Sequence, residues 1–326
     1  MRVIEIREPG GPEVLQLADR PIPECGSDDI LIEVKAAGVN RPDVQQRRGL
    51  YPPPPGASDL PGLDVAGIVS AVGANVSRWS VGDHVCALAN GGGYAEFCSV
   101  PALQAMPMPD GFDFVRAASL PEVFFTAWNN IVWLGELKNG ETLLIQGGTS
   151  GVGMAATQIA KVLFDATVAA TAGSQEKRQV CRDIGADAAF DYHEENWAEQ
   201  VREWAGPEGL DIVLDGQAGP YTQMQLSLLG FDGRLVLIAS HLGEFSKVNV
   251  RQLVRRRLTL TGSTLRPRDA TYKGRIADEL VEKVWPLLAS GEIVTRIHSV
   301  YDFTEVRKAH ETLDANRQIG KVVLAL

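Results

Sequence analysis

Two different rhythms of apolar and polar residues divide this chain. Up to about residue 120, short apolar runs such as "ILIEVKAAGV", "VAGIVSAVG", "HVCAL" and "YAEFCSV" are each bounded by Gly, Pro or Asp. Runs of this length and composition predict strands. No segment of helical period stands out among them, so a partly closed antiparallel barrel is expected. "YPPPPGASDLPG" must run extended, because four consecutive prolines fit neither a helix nor a central strand. From about residue 121 the rhythm changes. "LPEVFFTAWNNIVWLG" places proline at a first helical position ahead of helical apolar spacing. Apolar strands then alternate with amphipathic helices: "TLLIQ", "GVGMAATQIAKVLF", "TVAAT", "QEKRQVCRDIG", "LDIVLDG", "GRLVLIAS", "LTLTG". That alternation predicts a doubly wound parallel sheet with helices on both faces. After about residue 264 come one helix, "RIADELVEKVWPLLASG", and short β-like pieces ending in "GKVVLAL". The expected division is a β-rich region of residues 1–120 and 265–326, and a dinucleotide-binding α/β region of residues 121–264.

Composition narrows the function classes. The 326 residues are 45% hydrophobic and 22% charged, ordinary for a globular chain. A net charge of −10 makes nucleic acid a poor partner. The basic run Arg255-Arg256-Arg257 reads as a charged edge beside a strand rather than a polyanion site. No apolar stretch reaches the ~18 residues of a membrane helix. The N-terminus lacks the apolar core of a signal peptide, so a cytoplasmic protein is expected. Cys25, Cys86, Cys98 and Cys181 form no C-x-x-C pair, and the five histidines show no metal-binding spacing.

The first chemistry lies in "TLLIQGGTSGVGMAATQIAK". The apolar run predicts a strand, and Gly147, Gly148, Gly151 and Gly153 form a turn into a helix. Glycines permit the tight turn and let backbone approach a pyrophosphate. The N–H groups of Gly151, Val152 and Gly153, with the helix dipole, are suited to bind the anion. Ser150 has two readings, a helix cap or a hydroxyl facing the nicotinamide or substrate, and capping is favoured. About 20 residues on, an NAD site places an acid on the ribose 2′-OH. Here stand Ala172, Gly173 and Ser174, with Lys177 one turn later. A hydroxyl and an ammonium suit the 2′-phosphate of NADP(H) better than a bare ribose. The same two residues also read as an N-cap and a solvated lysine. Gln217, Ser240 and Leu265 follow strands of the series, where ligands collect in open α/β sheets. His241 opens one such loop and is read as solvated.

"REPGGPEVL", "AAGVNRPDVQQRRGLYPPPPGAS", "GLDVAGIV", "VGDHVCAL", "GGGYAEF", "GGTSGVG", "TAGSQEK" and "IGKVVL" occur in one register along the whole chain. With them the chain resembles the medium-chain dehydrogenase/reductase superfamily, and within it the zinc-independent quinone oxidoreductase branch. The resemblance is closest to the NADPH-quinone reductases and more distant to zeta-crystallin. It implies a Rossmann domain joined to a GroES-like, partly open barrel that carries catalysis. Zinc-dependent members carry Cys where this chain has Asn40 and His where it has Leu63, so the resemblance implies no metal. It also places Tyr51 beside substrate and nicotinamide, as hydrogen-bond donor or aromatic wall, with Asn40 and Thr126 near the cofactor. Tyr192 matches a position near the adenosine end.

Without a Lewis acid, the expected acceptor is one that is already electrophilic. The chain is thus read as an NADPH-dependent quinone oxidoreductase, with Tyr51 and Ser150 as catalytic candidates. An enal or enone reductase needs nearly the same residues, and an NADPH-binding protein with little catalysis is a further alternative. A homodimer is expected, paired through the edge strand "LTLTG".

Overall fold

The computed structural model describes residues 1–326 and divides into two compact units, Met1–Phe125 with Leu265–Leu326, and Thr126–Thr264. In chain order the first unit supplies β1 (Arg2–Ile6), β2 (Leu15–Asp19), β3 (Asp29–Val39), β4 (Asp64–Val72), β5 (His84–Leu88), β6 (Phe97–Pro101) and β7 (Ala105–Pro107). The second supplies β8 (Thr142–Ile145), β9 (Thr167–Thr171), β10 (Ala188–Phe190), β11 (Leu210–Asp215), β12 (Leu229–Leu237) and β13 (Thr259–Gly262). The chain then returns to the first unit with β14 (Ile297–Asp302) and β15 (Lys321–Ala325).

In the first unit the strand order is β14-β15-β3-β4-β5-β7, with β6 added on β3. All of its pairings are antiparallel except that of β14 with β15. The long strand β3 is its axis. Ile30, Ile32 and Val34 alternate into one core with Val65, Val69, Val85 and Val100. Beyond a register shift between Val34 and Ala36 the parity changes, and Ala37 and Val39 join a second core with Ile4, Leu15, Tyr94 and Leu324. A bulge has this effect, because one extra residue turns every later side chain to the other face.

The second unit is a six-stranded parallel sheet in the order β10-β9-β8-β11-β12-β13. Counted from β8 this is 3-2-1-4-5-6, the doubly wound order whose ligand site lies at the switch between its first and fourth strands. The turn after β8 stands at that switch.

Three places differ from the reading of the sequence, one of them the helix Val306–Asp314, where only short β-like pieces were expected. Residues Arg41–Arg47 form a helix where only strands and loops were expected. Asn40 precedes it in extended conformation and Pro42 occupies its first turn, a start signal that its short apolar content hid. The single helix expected after residue 264 is two, Ala270–Lys283 and Trp285–Ser290. Pro286 has no N–H to continue the first and instead opens the second.

Candidate active site

In the dinucleotide unit the site is made of backbone. After β8, Gly147 turns at φ +75° and its N–H is held by Thr171 Oγ1 at 3.1 Å. Gly148 N–H is held by Thr171 O at 2.9 Å. A Cβ on Gly148 would stand 2.6 Å from Ala170 Cβ and 2.7 Å from Cys181 Sγ, so only glycine lets the turn lie this close to the sheet. A Cβ on Gly153 would meet Gly147 O at 2.5 Å. Ser150 is the N-cap of Gly151–Phe164, its Oγ accepting Gly153 N–H at 3.0 Å. The first N–H groups of a helix have no intrahelical acceptor. With that of Gly153 taken, those of Gly151 and Val152 remain at the positive end of a 14-residue helix. The cradle fits a dinucleotide pyrophosphate.

At the end of β9 a second helix terminus forms a smaller anion seat. Ser174 caps Gln175–Asp183, its Oγ accepting Lys177 N–H at 3.2 Å. The Lys177 ammonium is pushed below its ordinary pKa by burial, with Glu176 acting in the opposite sense. Tyr192 closes over the same loop: a Cβ on Gly173 would stand 2.6 Å from Tyr192 Cζ. Burial raises the Tyr192 phenol pKa. Arg178, the neighbouring cation, is committed to Asp191. Ser174, Lys177 and Tyr192 are therefore together, with no carboxylate at the position that would meet a ribose 2′-OH.

Beyond β11 and β12 the loops are tied together. Buried Asp215 accepts the N–H groups of Gln217 (2.8 Å) and Ala218 (2.7 Å). Leu242 N–H bonds Gln217 O at 2.9 Å. A cavity of about 410 Å³ opens here, lined by Thr222, Leu237, Ser240, Glu244, Gly262 and Ser263 among others. Ser240 faces it, and Gln217 lies on the adjoining loop. Exposed His241 donates its N–H to Gly216 O at 3.2 Å. The carbonyl of Thr126 accepts Asn130 Nδ2 at 2.7 Å, and Asn130 Oδ1 accepts Ser263 Oγ at 2.6 Å.

The barrel unit is built differently. Its polar groups are side chains, buried and bonded to one another. Asn40 Nδ2 donates to Asp64 Oδ2 at 2.9 Å, and Lys321 Nζ donates to the same oxygen at 2.8 Å and to Asn40 Oδ1. Asp64 Oδ1 accepts Glu122 N–H at 2.6 Å. Asn40 and Asp64 are 4% and 0% exposed. At the third position of the helix, Asp43 accepts the N–H groups of Asn40 (2.8 Å) and Gly62 (3.1 Å). Burial pushes its carboxyl up to about 6 despite these bonds. Tyr94 Oη lies 3.3 Å from both Asp43 Oδ2 and His310 Nε2. Burial and then Arg47 push the His310 imidazole down to about 3. Arg47 Nη2 in turn pairs with Asp314 at 2.8 Å.

Tyr51, at the head of the proline loop, is half-buried. Its carbonyl accepts Arg266 Nη1 at 3.3 Å, and the guanidinium carbon stands 5.3 Å from the centre of its ring. Leu265 precedes this arginine and is half-buried in the same unit. Reading the sequence did not single out Asp43, Tyr94, Arg266, Lys273, His310 or Lys321. Only the acid at the third position of an Asn-capped helix marks Asp43 locally.

Two family models match this chain, the alcohol dehydrogenase GroES-like domain over residues 26–110 and the zinc-binding dehydrogenase over residues 151–282. Human quinone oxidoreductase is 32% identical over 332 aligned residues, which cover 100% of this chain and 98% of that protein. A mycobacterial protein solved in complex with NADPH matches at a TM-score of 0.89 and 32% identity, over 100% of both chains. Quinone oxidoreductase of Escherichia coli, also solved with NADPH, matches at 0.87 and 28%, again over 100% of both. The donor set here does not fit the zinc of one model's description: no three His, Cys, Asp or Glu side chains converge, and an ammonium already occupies Asn40 and Asp64.

Proposed function

Because this chain belongs to the medium-chain dehydrogenase/reductase family, we propose that it is an NADPH-dependent quinone oxidoreductase working without a metal ion. The observation that carries this reading is the Lys321 ammonium bonded to Asn40 and Asp64. A fixed cation there repels a second one. With no Lewis acid to polarise it, the acceptor must be electrophilic by its own structure, as a quinone is.

When bound, NADPH supplies the hydride. The chain's own part begins with the N–H groups of Gly151 and Val152, which hold the pyrophosphate, braced by the Ser150 cap. Ser174 and Lys177 take the 2′-phosphate, which repels a carboxylate and rewards an ammonium. Tyr192 bounds the adenosine end. Tyr51 holds a proton at Oη and directs it to the acceptor oxygen, whose negative charge grows as the ring is reduced. The cation over the Tyr51 ring favours that charge.

The test is turnover of a quinone panel with each coenzyme. Quinone is expected to be consumed with NADPH, and kcat/KM to exceed that with NADH by about tenfold, the worth of one charge-assisted contact. Tyr51→Phe should lower kcat on the order of 10²-fold if the phenol delivers the proton. Equal rates for wild type, Tyr51→Phe and Tyr51→Ala would remove the residue from the mechanism. Faster reduction of enones than of every quinone would replace the acceptor class.

A further inference from the structure

Two buried cations of the barrel unit are matched by carboxylates: Lys321 by Asp64, Arg47 by Asp314. Arg266 and Lys273 are not. They are 6% and 0% exposed, and no carboxylate lies within ion-pair distance of either. Both are instead gathered around Asn90. Arg266 Nε donates to Asn90 O at 2.9 Å, while Lys273 Nζ donates to Asn90 Oδ1 at 2.5 Å and to Arg266 O at 3.3 Å. With Nη1 on the Tyr51 carbonyl, one nitrogen is left. Arg266 Nη2 is buried and has no hydrogen-bond partner.

An unmatched buried cation is costly, and two together are more so, because each also repels the other. The structure records that cost. Burial, opposed by Asp269 and aided by Arg266, pushes the Lys273 ammonium down to about 8, and burial lowers the Arg266 guanidinium as well. A packed barrel has cheaper ways to fill this space, since apolar residues of similar volume are tolerated at such positions. What the pair supplies is a fixed positive field and one unused donor beneath the aromatic ring of the Tyr51 loop.

We propose that Arg266, supported by Lys273, forms a subsite for acceptors carrying an anionic oxygen, such as a quinone with a carboxylate, sulfonate or ionised hydroxyl substituent. Arg266 Nη2 is closed to solvent in this structure, so it donates to that oxygen only once the chain opens locally beside the Tyr51 ring. The proposal rests on the acceptor-reducing function above and names the acceptor class within it. Arg266 is a specificity-determining residue here. Tyr51 keeps the proton.

The experiment compares a neutral naphthoquinone with its sulfonated analogue, using NADPH and the full-length protein. For Arg266→Gln, the ratio of kcat/KM for sulfonated over neutral quinone should fall about tenfold or more, as one charged hydrogen bond is lost. Arg266→Lys, which keeps the charge but not the fork, should retain part of the ratio, and Lys273→Met should lower it less. Lys273→Met removes an unmatched charge but also leaves Asn90 Oδ1 and Arg266 O without its hydrogen bonds, so its melting temperature should fall slightly. An unchanged ratio in Arg266→Gln overturns the subsite, as does an equal loss with both quinones together with a lower melting temperature. A calorimetric titration with benzoate, needing no turnover, separates the subsite from the function. Wild-type binding abolished by Arg266→Gln supports the subsite even if no quinone is reduced. No benzoate binding to the wild type overturns it even if quinones are.

Discussion

The two units solve the problem of holding a polar ligand in opposite ways. In residues Thr126–Thr264 the donors are peptide groups at helix starts, and side chains serve mainly as caps (Ser150, Ser174). In the barrel unit the polar groups are side chains sunk into the fold and bonded to one another, as with the Asn40 amide, the Asp64 carboxylate and the Lys321 ammonium. Peptide donors are fixed by the fold and carry only partial charge, so they cost little to bury at a helix end. A matched side-chain ion becomes costly to bury once its partner is removed. The barrel site should therefore be the more fragile of the two.

The comparison is broken most severely by removing Lys321. Lys321→Met leaves Asp64 buried beside Asn40 without its cation and should cost about 3–5 kcal/mol of folding stability in urea denaturation. Adding Asp64→Asn should recover part of that loss, which a simple packing defect would not. A smaller effect is expected on the backbone side. Gly148→Ala drives a methyl against Ala170 and Cys181, costing about 1–3 kcal/mol and weakening NADPH binding in a fluorescence titration. Lys177→Ala should weaken NADPH binding about tenfold at low salt, leave NADH binding unchanged and alter stability little.

The smallest effect is in pH. His310, held down to about 3 from an ordinary 6.5, stabilises the fold above pH 6.5, and that contribution is lost as pH falls toward 3. Asp43, raised to about 6 from 3.8, has the opposite sign: its contribution is present below pH 3.8 and lost as pH rises through 6. Between pH 4 and 6 the two oppose each other. His310→Gln should uncover the Asp43 term, so that the melting temperature of this variant, relative to wild type, rises on acidification from pH 6 to pH 4.

The same contrast explains what could be read from the chain alone. The strand, glycine turn and helix from Thr142 to Phe164 are local grammar: apolar run, Gly, cap, amphipathic period. Each rule acts within a few residues. The helix Arg41–Arg47 escaped because seven residues carry too short a period, although its cap and proline were in view. The barrel network was out of reach for another reason. Lys321 meets Asn40 across 281 residues, Tyr94 meets His310 across 216, and Arg266 meets Tyr51 across 215. No spacing rule operates at such distances. The closing of the sheet through β15 brings Lys321 to Asn40, and the return of the chain to the barrel unit after residue 264 brings the other two pairs together.

That closing strand has a bearing on how the molecule comes into being. Asn40 and Asp64 leave the ribosome long before the lysine that completes them, whereas Thr126–Thr264 emerges as one uninterrupted length. Domains fold as units during synthesis, so the coenzyme-binding half is free to mature while the other waits with an unanswered carboxylate. A nascent chain stalled before residue 321 should already hold NADPH and yet be unable to reduce anything.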